Sequence, residues 1–391
     1  YRVGQVTAPQ LETRAINTIR GLAMDAPHAA RSGHQGTAMA LAPLAHVLWT
    51  RIMRYDASHP RWPDRDRFVL SAGHASILLY SMLHLTGYEL TLDDLKDFRQ
   101  WGSRTPGHPE AGHTDGVEVT TGPLGQGIAN AVGMAMAERL LRTRFGSEVV
   151  DHRTFCIAGD GDLSEGVSHE AASLAGHLGL GRLICVYDDN HVSIDGPTEL
   201  ALSDDAATRF TAYGWHVLDL GEVADDLDAL EAGLREAIAV EDRPSLVILR
   251  SHIAHPSPTT RDDPAAHGYA LKDDDIRAAK EVLGLPVDET FTVPDDVLAY
   301  YREAGQRGAA ARAAWEERLA AFSGDRAELE ACLTATGLPG WEDALPSWDP
   351  GDKVATRVAS GQCLQALADA VPALVAGGAD LTSNTGTVLK G

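Results

Sequence analysis

Thr154-Phe155-Cys156-Ile157-Ala158-Gly159-Asp160-Gly161-Asp162 joins an apolar run to a turn of alternating glycine and aspartate. An apolar run without polar alternation, stopped by glycine, predicts a strand over 154–158 that is buried on both faces. The pattern recurs downstream, where the run 183–187 ends on Asp188-Asp189-Asn190. Working outward, 67–70, 216–220 and 246–249 read as further strands. Helical spacing lies between them: Leu227, Leu230, Leu234 and Ile238 fall three or four apart in one segment, and Val167, Ala171, Leu174 and Leu178 in another. From about residue 10 to 255 this alternation predicts an α/β fold, a parallel sheet with helices on both faces.

The chain has 391 residues, enough for two or three domains at roughly 150 residues each. Hydrophobic residues make up 44% and charged residues 23%, a globular balance that excludes wholesale disorder. Lys and Arg number 33 against 56 Asp and Glu, a net charge of −23, which argues against nucleic acid and anionic membrane as partners. The four cysteines form no CxxC pair, fitting a reducing, cytoplasmic setting. No apolar run approaches the ~18 residues of a membrane span, and no signal pattern opens the chain. The sequence begins at Tyr1 and stops at Lys390-Gly391 without a closing element, as expected of an excerpt from a longer polypeptide. Three parts are predicted: 1–270 around the sheet, a helix-rich linker over 271–350 that breaks at Gly337-Leu338-Pro339-Gly340 and Asp349-Pro350-Gly351, and 351–391 as the start of a second, truncated α/β domain. In the last part, 360–371 reads as a helix and 373–376 as the start of a strand. The stretch 254–267 carries three prolines and reads as a long loop of the kind that supplies lids.

Parallel strands bring both acidic turns to the carboxyl edge of the sheet, where open α/β folds bind ligands. A hard cation such as Mg2+ takes one or two protein side-chain oxygens and completes its shell with phosphate and water. Asp160, the amide oxygen of Asn190 and a nearby carbonyl such as that of Val192 suit that role. Gly159 and Gly161 allow close approach of a diphosphate, and the following helix offers its N-terminus to the anion. His34, His74 and His108 each follow a glycine at an element boundary, and His267 lies in the long loop; imidazoles so placed donate to sugar hydroxyls, bind phosphate or shuttle protons. His177, on the apolar-striped helix, reads as structural. Thr120-Thr121-Gly122-Pro123-Leu124-Gly125-Gln126-Gly127 has Asn130 where a dinucleotide fingerprint needs its third glycine, so a tight turn with close helix packing fits it better. No G-x-S-x-G, Walker A or H-E-x-x-H motif occurs. What remains is diphosphate, divalent metal and histidine chemistry.

These residues resemble the transketolase family, thiamine-diphosphate enzymes of sugar-phosphate metabolism. The likeness runs through Ser32-Gly33-His34, Asp66-Arg67-Phe68-Val69-Leu70-Ser71-Ala72-Gly73-His74, Gly102-Ser103-Arg104-Thr105-Pro106-Gly107-His108-Pro109-Glu110, the Thr120–Gly127 string, the Gly-Asp-Gly turn and Tyr187-Asp188-Asp189-Asn190. It implies the thiamine-diphosphate-binding fold, a cytoplasmic homodimer with its site at the subunit interface, and thiamine diphosphate with Mg2+, Ca2+ or another divalent cation. By the same resemblance Asp160, Asn190 and the Val192 carbonyl hold the metal, Gly122 and Leu124 line the aminopyrimidine, and His74 and Gly161 lie near the diphosphate. Glu165 joins a carboxylate network at the dimer interface, Asp380 is a cofactor-side residue, and Arg357 and Ser383 contact substrate phosphate. His34, His108 and His267 contact the substrate's hydroxyls and reaction centre. The implied activity is reversible transfer of a two-carbon ketol group from a ketose phosphate such as xylulose 5-phosphate to an aldose phosphate such as ribose 5-phosphate, through the cofactor's ylide, in the pentose phosphate pathway.

Departures from the family pattern stand out. Gln35 occupies a position where the family commonly has proline, and Tyr269 interrupts the usual string after His267. The family's catalytic glutamate lies in an Arg-Glu-His motif that does not occur here. The chain by itself is therefore expected to be inactive and to need the rest of the pyrimidine-binding and C-terminal domains in cis or in trans. A non-catalytic cofactor-binding or regulatory subunit, or one half of a split enzyme, is the alternative.

Overall fold

The computed structural model describes residues 7–376, 378 and 380–389; the terminal Tyr1 and Lys390-Gly391 lie outside them. The five strands predicted within 1–270 all form: β1 Arg67–Leu70, β2 Thr154–Gly159, β3 Leu183–Asp189, β4 His216–Asp219 and β5 Ser245–Arg250. They make one parallel sheet in the order β1-β2-β3-β5-β4. In the register of β2 and β3, Ala158 lies beside Tyr187 and Gly159 beside Asp188, so the two acidic turns leave the sheet as neighbours.

The unbroken apolar strands have a simple cause: both faces are covered. Phe155, Ile157, Ile184, Val186, Val247 and Leu249 enter one core with Ile19, Leu22, Trp49, Leu83, Leu230 and Leu234. Cys156, Ala158, Leu183, Cys185, Leu246 and Ile248 enter a second core with Ile128, Ala131, Ala172, Ala175, Phe210 and Trp215. Successive strand residues point to opposite faces, and each buried Ile or Leu contributes about 1.5–3 kcal/mol. The helices Ala8–Ala30, Ser76–Thr86 and Leu227–Ala239 supply the first cover, and Gln126–Phe145, Gly166–Leu178 and Ala206–Ala212 the second.

The predicted helix over Val167, Ala171, Leu174 and Leu178 exists, but its inward face is Ser168, Ala172 and Ala175, and Leu174 is 43% exposed. The backbones meet too closely for large side chains: a Cβ on Gly176 would lie 1.8 Å from the Tyr213 carbonyl oxygen. His177 is exposed and is no core histidine.

The chain divides into two compact units, Tyr1–Leu140 with Asp151–Trp315, and Leu141–Val150 with Glu316–Gly391. The helices Asp273–Leu283 and Asp295–Gln306 belong to the first, where Ile276, Ala279, Leu283, Val297 and Tyr301 join its core. Lys280 there forms a buried ion pair with Asp25 at 2.7 Å. In the second unit Val149, Val150 and Leu329 pack with Phe145, Leu319 and Phe322. The helix predicted there runs over Thr356–Leu367, starting and ending four residues before the predicted 360–371, and Pro372 follows too closely for it to continue. Residues 373–376 are not a strand, and among the described residues of this unit there is no other strand for them to pair with.

The loop before Gln126–Phe145 is seated by Gly127, where a Cβ would lie 2.3 Å from Ser71 Cα. Gly127→Ala gains up to about 1 kcal/mol of helix propensity but overpacks a rigid contact at a cost of about 1–3 kcal/mol. Urea unfolding is expected to show a net loss of stability; a stabilised variant would contradict this close packing.

Candidate functional site

The carboxyl ends of β2 and β3 open into a cavity of about 380 Å³ lined by His34, His74, His108, Gly122, Leu124, Asp160, Gly161, Asn190, Val192 and His267. Ten of the residues singled out from sequence thus meet in one place. Glu165 is exposed, just after the short helix Asp160–Ser164, and a Cβ on Gly125 would lie 2.9 Å from its Cβ. Arg357, Asp380 and Ser383 belong to the second unit and are exposed, with Arg357 in the first turn of Thr356–Leu367 and Ser383 in Thr382–Thr385. A larger cavity, about 850 Å³, is bordered by Glu12, Arg51, Asp225, His252, His255 and Arg261. Its charges largely satisfy one another, Arg51 with Glu12 and His255 with Asp225, and none of the buried unpartnered polar atoms of the described residues lines it.

At the first acidic turn Asp160 is 7% exposed. The Tyr187 hydroxyl donates to its Oδ1 at 2.5 Å, with Asp189 Oδ1 3.0 Å away. Oδ2 is buried without a partner. Burial pushes the Asp160 carboxyl above its ordinary range, and the Tyr187 bond only partly offsets this. A buried, unpartnered carboxylate oxygen is costly unless something positive answers it. Asn190 is held by both ends of its amide: Nδ2 donates to Asp188 Oδ2 at 2.7 Å and Oδ1 accepts from the Val192 N–H at 2.9 Å. That pairing fixes which end is oxygen. Asp188 in turn accepts from the Ser251 hydroxyl, and burial pushes it up to about 7. Val192 lies opposite Pro197 in a short hairpin, and because the Thr198 N–H donates to the His191 carbonyl at 3.1 Å this is a non-hydrogen-bonded pair, with the Val192 carbonyl turned away from the partner strand. Among the described residues no group of three or more His, Cys, Asp or Glu is placed to hold a metal. The oxygens of Asp160, Asn190 and Val192 therefore suit a hard cation that draws its remaining ligands from a phosphate and water.

The four histidines form a cluster. His34 lies 5.3 Å from His74, 5.8 Å from His267 and 6.5 Å from His108 between ring centroids, and His74 stacks on His267 at 4.7 Å. Burial depresses the pKa of every one, and Arg99 adds to this at His34, His74 and His108. His34 is held at about 4. Near neutral pH the cluster is uncharged, and it offers hydrogen bonds rather than positive charge. Arg99 Nη2 lies 3.2 Å from His34 Nδ1 and Nη1 donates to Ser32 Oγ at 2.8 Å. A guanidinium can only donate, so His34 Nδ1 accepts and its proton sits on Nε2. His74 Nε2 and His267 Nδ1 are buried without a protein partner. Gly122 has φ +139°, and a Cβ there would meet the His108 ring at 3.1 Å; only glycine fits both demands.

Two residues escaped the sequence reading. Arg99 has φ +61°, a conformation no pattern announces. Asp162 was quoted only as the end of the glycine-aspartate turn, yet it ties three loops together. Its Oδ1 accepts from Ser71 Oγ at 2.8 Å and from the Gly125 N–H at 2.9 Å, and its Oδ2 from the Gly159 N–H at 3.0 Å. The helix expected to point its N-terminus at an anion is interrupted. Asp160–Ser164 is one short piece, and Glu165, in extended conformation, precedes Gly166–Leu178.

A parallel α/β sheet whose carboxyl edge carries glycine-lined backbone and a cavity belongs to the class that binds its ligands at that edge. Residues 11–338 match the family model described as transketolase, thiamine diphosphate binding domain, and the chain belongs to that family. It is 49% identical to the chloroplastic transketolase of Zea mays, over 99% of this chain and 58% of that protein. It is also 49% identical to the transketolase of Geobacillus stearothermophilus, over 98% of this chain and 58% of that protein. Transketolase of Pichia stipitis, solved in complex with sedoheptulose 7-phosphate, superposes with a TM-score of 0.91 at 44% identity, covering 97% of this chain and 57% of that one. The enzyme of Leishmania mexicana gives 0.90 at 44% identity, with 96% and 57% covered. The chain thus spans a little over half the length of the relatives it matches. No helix among the described residues is long and apolar enough to cross a membrane.

Nitrogen-15 NMR of the imidazoles is expected to show His34 with its proton on Nε2 and titrating at about 4. Because the folded value is depressed, this group's stabilising contribution is full above its unfolded pKa of about 6.5 and is lost as pH falls towards 4. Arg99→Met should raise the His34 pKa and release the tautomer; an unchanged spectrum would contradict the assignment.

Proposed function

We propose that this chain supplies the diphosphate- and metal-binding part of a cytoplasmic transketolase, which moves a two-carbon ketol group between sugar phosphates in the pentose phosphate pathway. The observation that carries the reading is the unpartnered Asp160 oxygen in one cavity with Asn190, Val192 and four uncharged histidines. Donor and acceptor are a ketose phosphate such as xylulose 5-phosphate and an aldose phosphate such as ribose 5-phosphate. Solved Pichia stipitis transketolases named as complexes with sedoheptulose 7-phosphate, xylulose 5-phosphate and fructose 6-phosphate support that substrate class.

Thiamine diphosphate, when bound, supplies the carbon nucleophile that cleaves a ketose beside its carbonyl. This chain's residues bind and orient. Asp160, the Asn190 amide oxygen and the Val192 carbonyl would hold Mg2+ or another divalent cation, which would supply the positive charge that a diphosphate needs at this acidic edge. Gly161 and His74 border the diphosphate, Gly122 and Leu124 the aminopyrimidine. His34, with its proton on Nε2, donates to a sugar oxygen. His108 and His267 meet the sugar at the reaction centre, where well-placed proton transfer is worth about 10²–10⁴-fold. Arg357 and Ser383 take the substrate phosphate and Asp380 a cofactor-side position. Glu165 serves a homodimer whose active site lies at the subunit interface. In this division of labour 1–270 holds diphosphate and metal, 271–350 connects, and 351–391 opens the pyrimidine-binding part; ketol transfer is completed by the rest of that part, in cis or in trans.

Calorimetric titration of the chain with thiamine diphosphate is expected to show binding that depends on Mg2+ and is abolished by chelator. Asp160→Asn should weaken it by about tenfold or more. Binding of equal strength with and without Mg2+, or none at all, would overturn the reading.

A further inference from the structure

Gln35, at the position where the family commonly has proline, is 0% exposed; its amide oxygen is buried without a partner, and its amide nitrogen is spent on one segment. Its Nε2 donates to the Tyr269 carbonyl at 2.6 Å and to the Ala266 carbonyl at 3.2 Å. These carbonyls lie either side of His267, at the end of the four-residue helix Ala265–Gly268. So short a helix leaves its last carbonyls without internal partners and is too short to be stable alone. A second tie runs beside the first. The Ala254 N–H donates to the Gly36 carbonyl at 3.0 Å, and a Cβ on Gly36 would lie 2.6 Å from both the Ala266 carbonyl oxygen and Ile253 Cγ1. Both ends of the 254–269 segment are thereby fastened to the turn that carries His34. A proline at 35 has no side-chain donor and would leave the Ala266 and Tyr269 carbonyls unanswered by this route.

We propose that Gln35 is a positioning residue that holds the His267 turn in place beside the cavity before any ligand arrives. Its meaning for catalysis rests on the function proposed above, in which His267 meets the sugar; the clamp itself does not. The segment read from sequence as a long loop of the kind that supplies lids is, at its His267 end, fastened. At the tip Pro258, Thr259 and residues 261–263 are exposed, and Thr259 Oγ1 donates to Asp275 Oδ1 at 2.7 Å.

The test is hydrogen exchange on the whole ligand-free chain, wild type against Gln35→Met, which keeps length but has no donor, and Gln35→Pro, the family's residue. Amide exchange across 265–269 is expected to rise about tenfold or more in both variants, the scale of one net hydrogen bond, with the central strands unchanged. The His267 imidazole should titrate closer to its ordinary value as water reaches it, a change that a general loss of stability would not confine to one histidine. Unchanged exchange and titration in both variants would overturn the proposal. So would global unfolding of both, because a clamp confined to one turn does not carry the sheet. Failure of the wild-type chain to bind thiamine diphosphate would remove the functional reading and leave the exchange result to decide the clamp.

Discussion

The site depends on the Asp162 carboxylate. It is 1% exposed and accepts from three separate segments: the end of β1 through Ser71, the loop before Gln126–Phe145 through Gly125, and its own turn through Gly159. Ser71 passes the linkage on, since its Oγ also accepts from the Ile128 N–H at 3.0 Å. Burial opposes the charge and the donors support it, which is how a buried carboxylate serves as an internal strut rather than a liability. Gly122, Leu124 and Asp160 reach one cavity because the backbones on either side of Asp162 are fixed to the same atom group.

This frame explains the electrostatics of the cavity. The chain carries a net charge of −23, and Asp160, Asp162 and Asp188 cluster at the sheet edge. The histidines, depressed by burial, add no positive charge near neutral pH. Under the proposed function an anionic ligand would need a mediating cation, and the buried, unpartnered oxygen of Asp160 is the group that would pair with it. The uncharged imidazoles offer hydrogen bonds rather than charge, and Arg99 fixes their direction at His34.

Much of this was legible in the sequence, for identifiable reasons. Strands buried on both faces read as unbroken apolar runs, so β2 and β3 and the acidic turns that end them could be placed from residues alone. The glycine-preceded histidines and the Asp160–Asn190 spacing marked the cavity. What could not be read was contact across the fold. The inward face of Gly166–Leu178 depends on how closely Gly176 approaches Tyr213. The strut role of Asp162 depends on Ser71 and Gly125, 91 and 37 residues away. The grip of Gln35 on Ala266 and Tyr269 spans more than two hundred residues, so its departure from the family pattern was visible while its purpose was not. The residues 373–376 looked like a strand because apolar composition does not reveal whether a neighbour exists to pair with.

The most direct measurement is on Asp162→Ala, following urea unfolding and the affinity of the folded protein for magnesium pyrophosphate in parallel. Removing the carboxylate strands two buried donors and a half-buried one, each buried donor costing about 1–3 kcal/mol, so a loss of at least about 2 kcal/mol is expected. Pyrophosphate affinity should fall even under conditions where the sheet remains folded, because the loops no longer share a strut. Near-wild-type stability together with undiminished pyrophosphate binding would contradict the central place given to this residue.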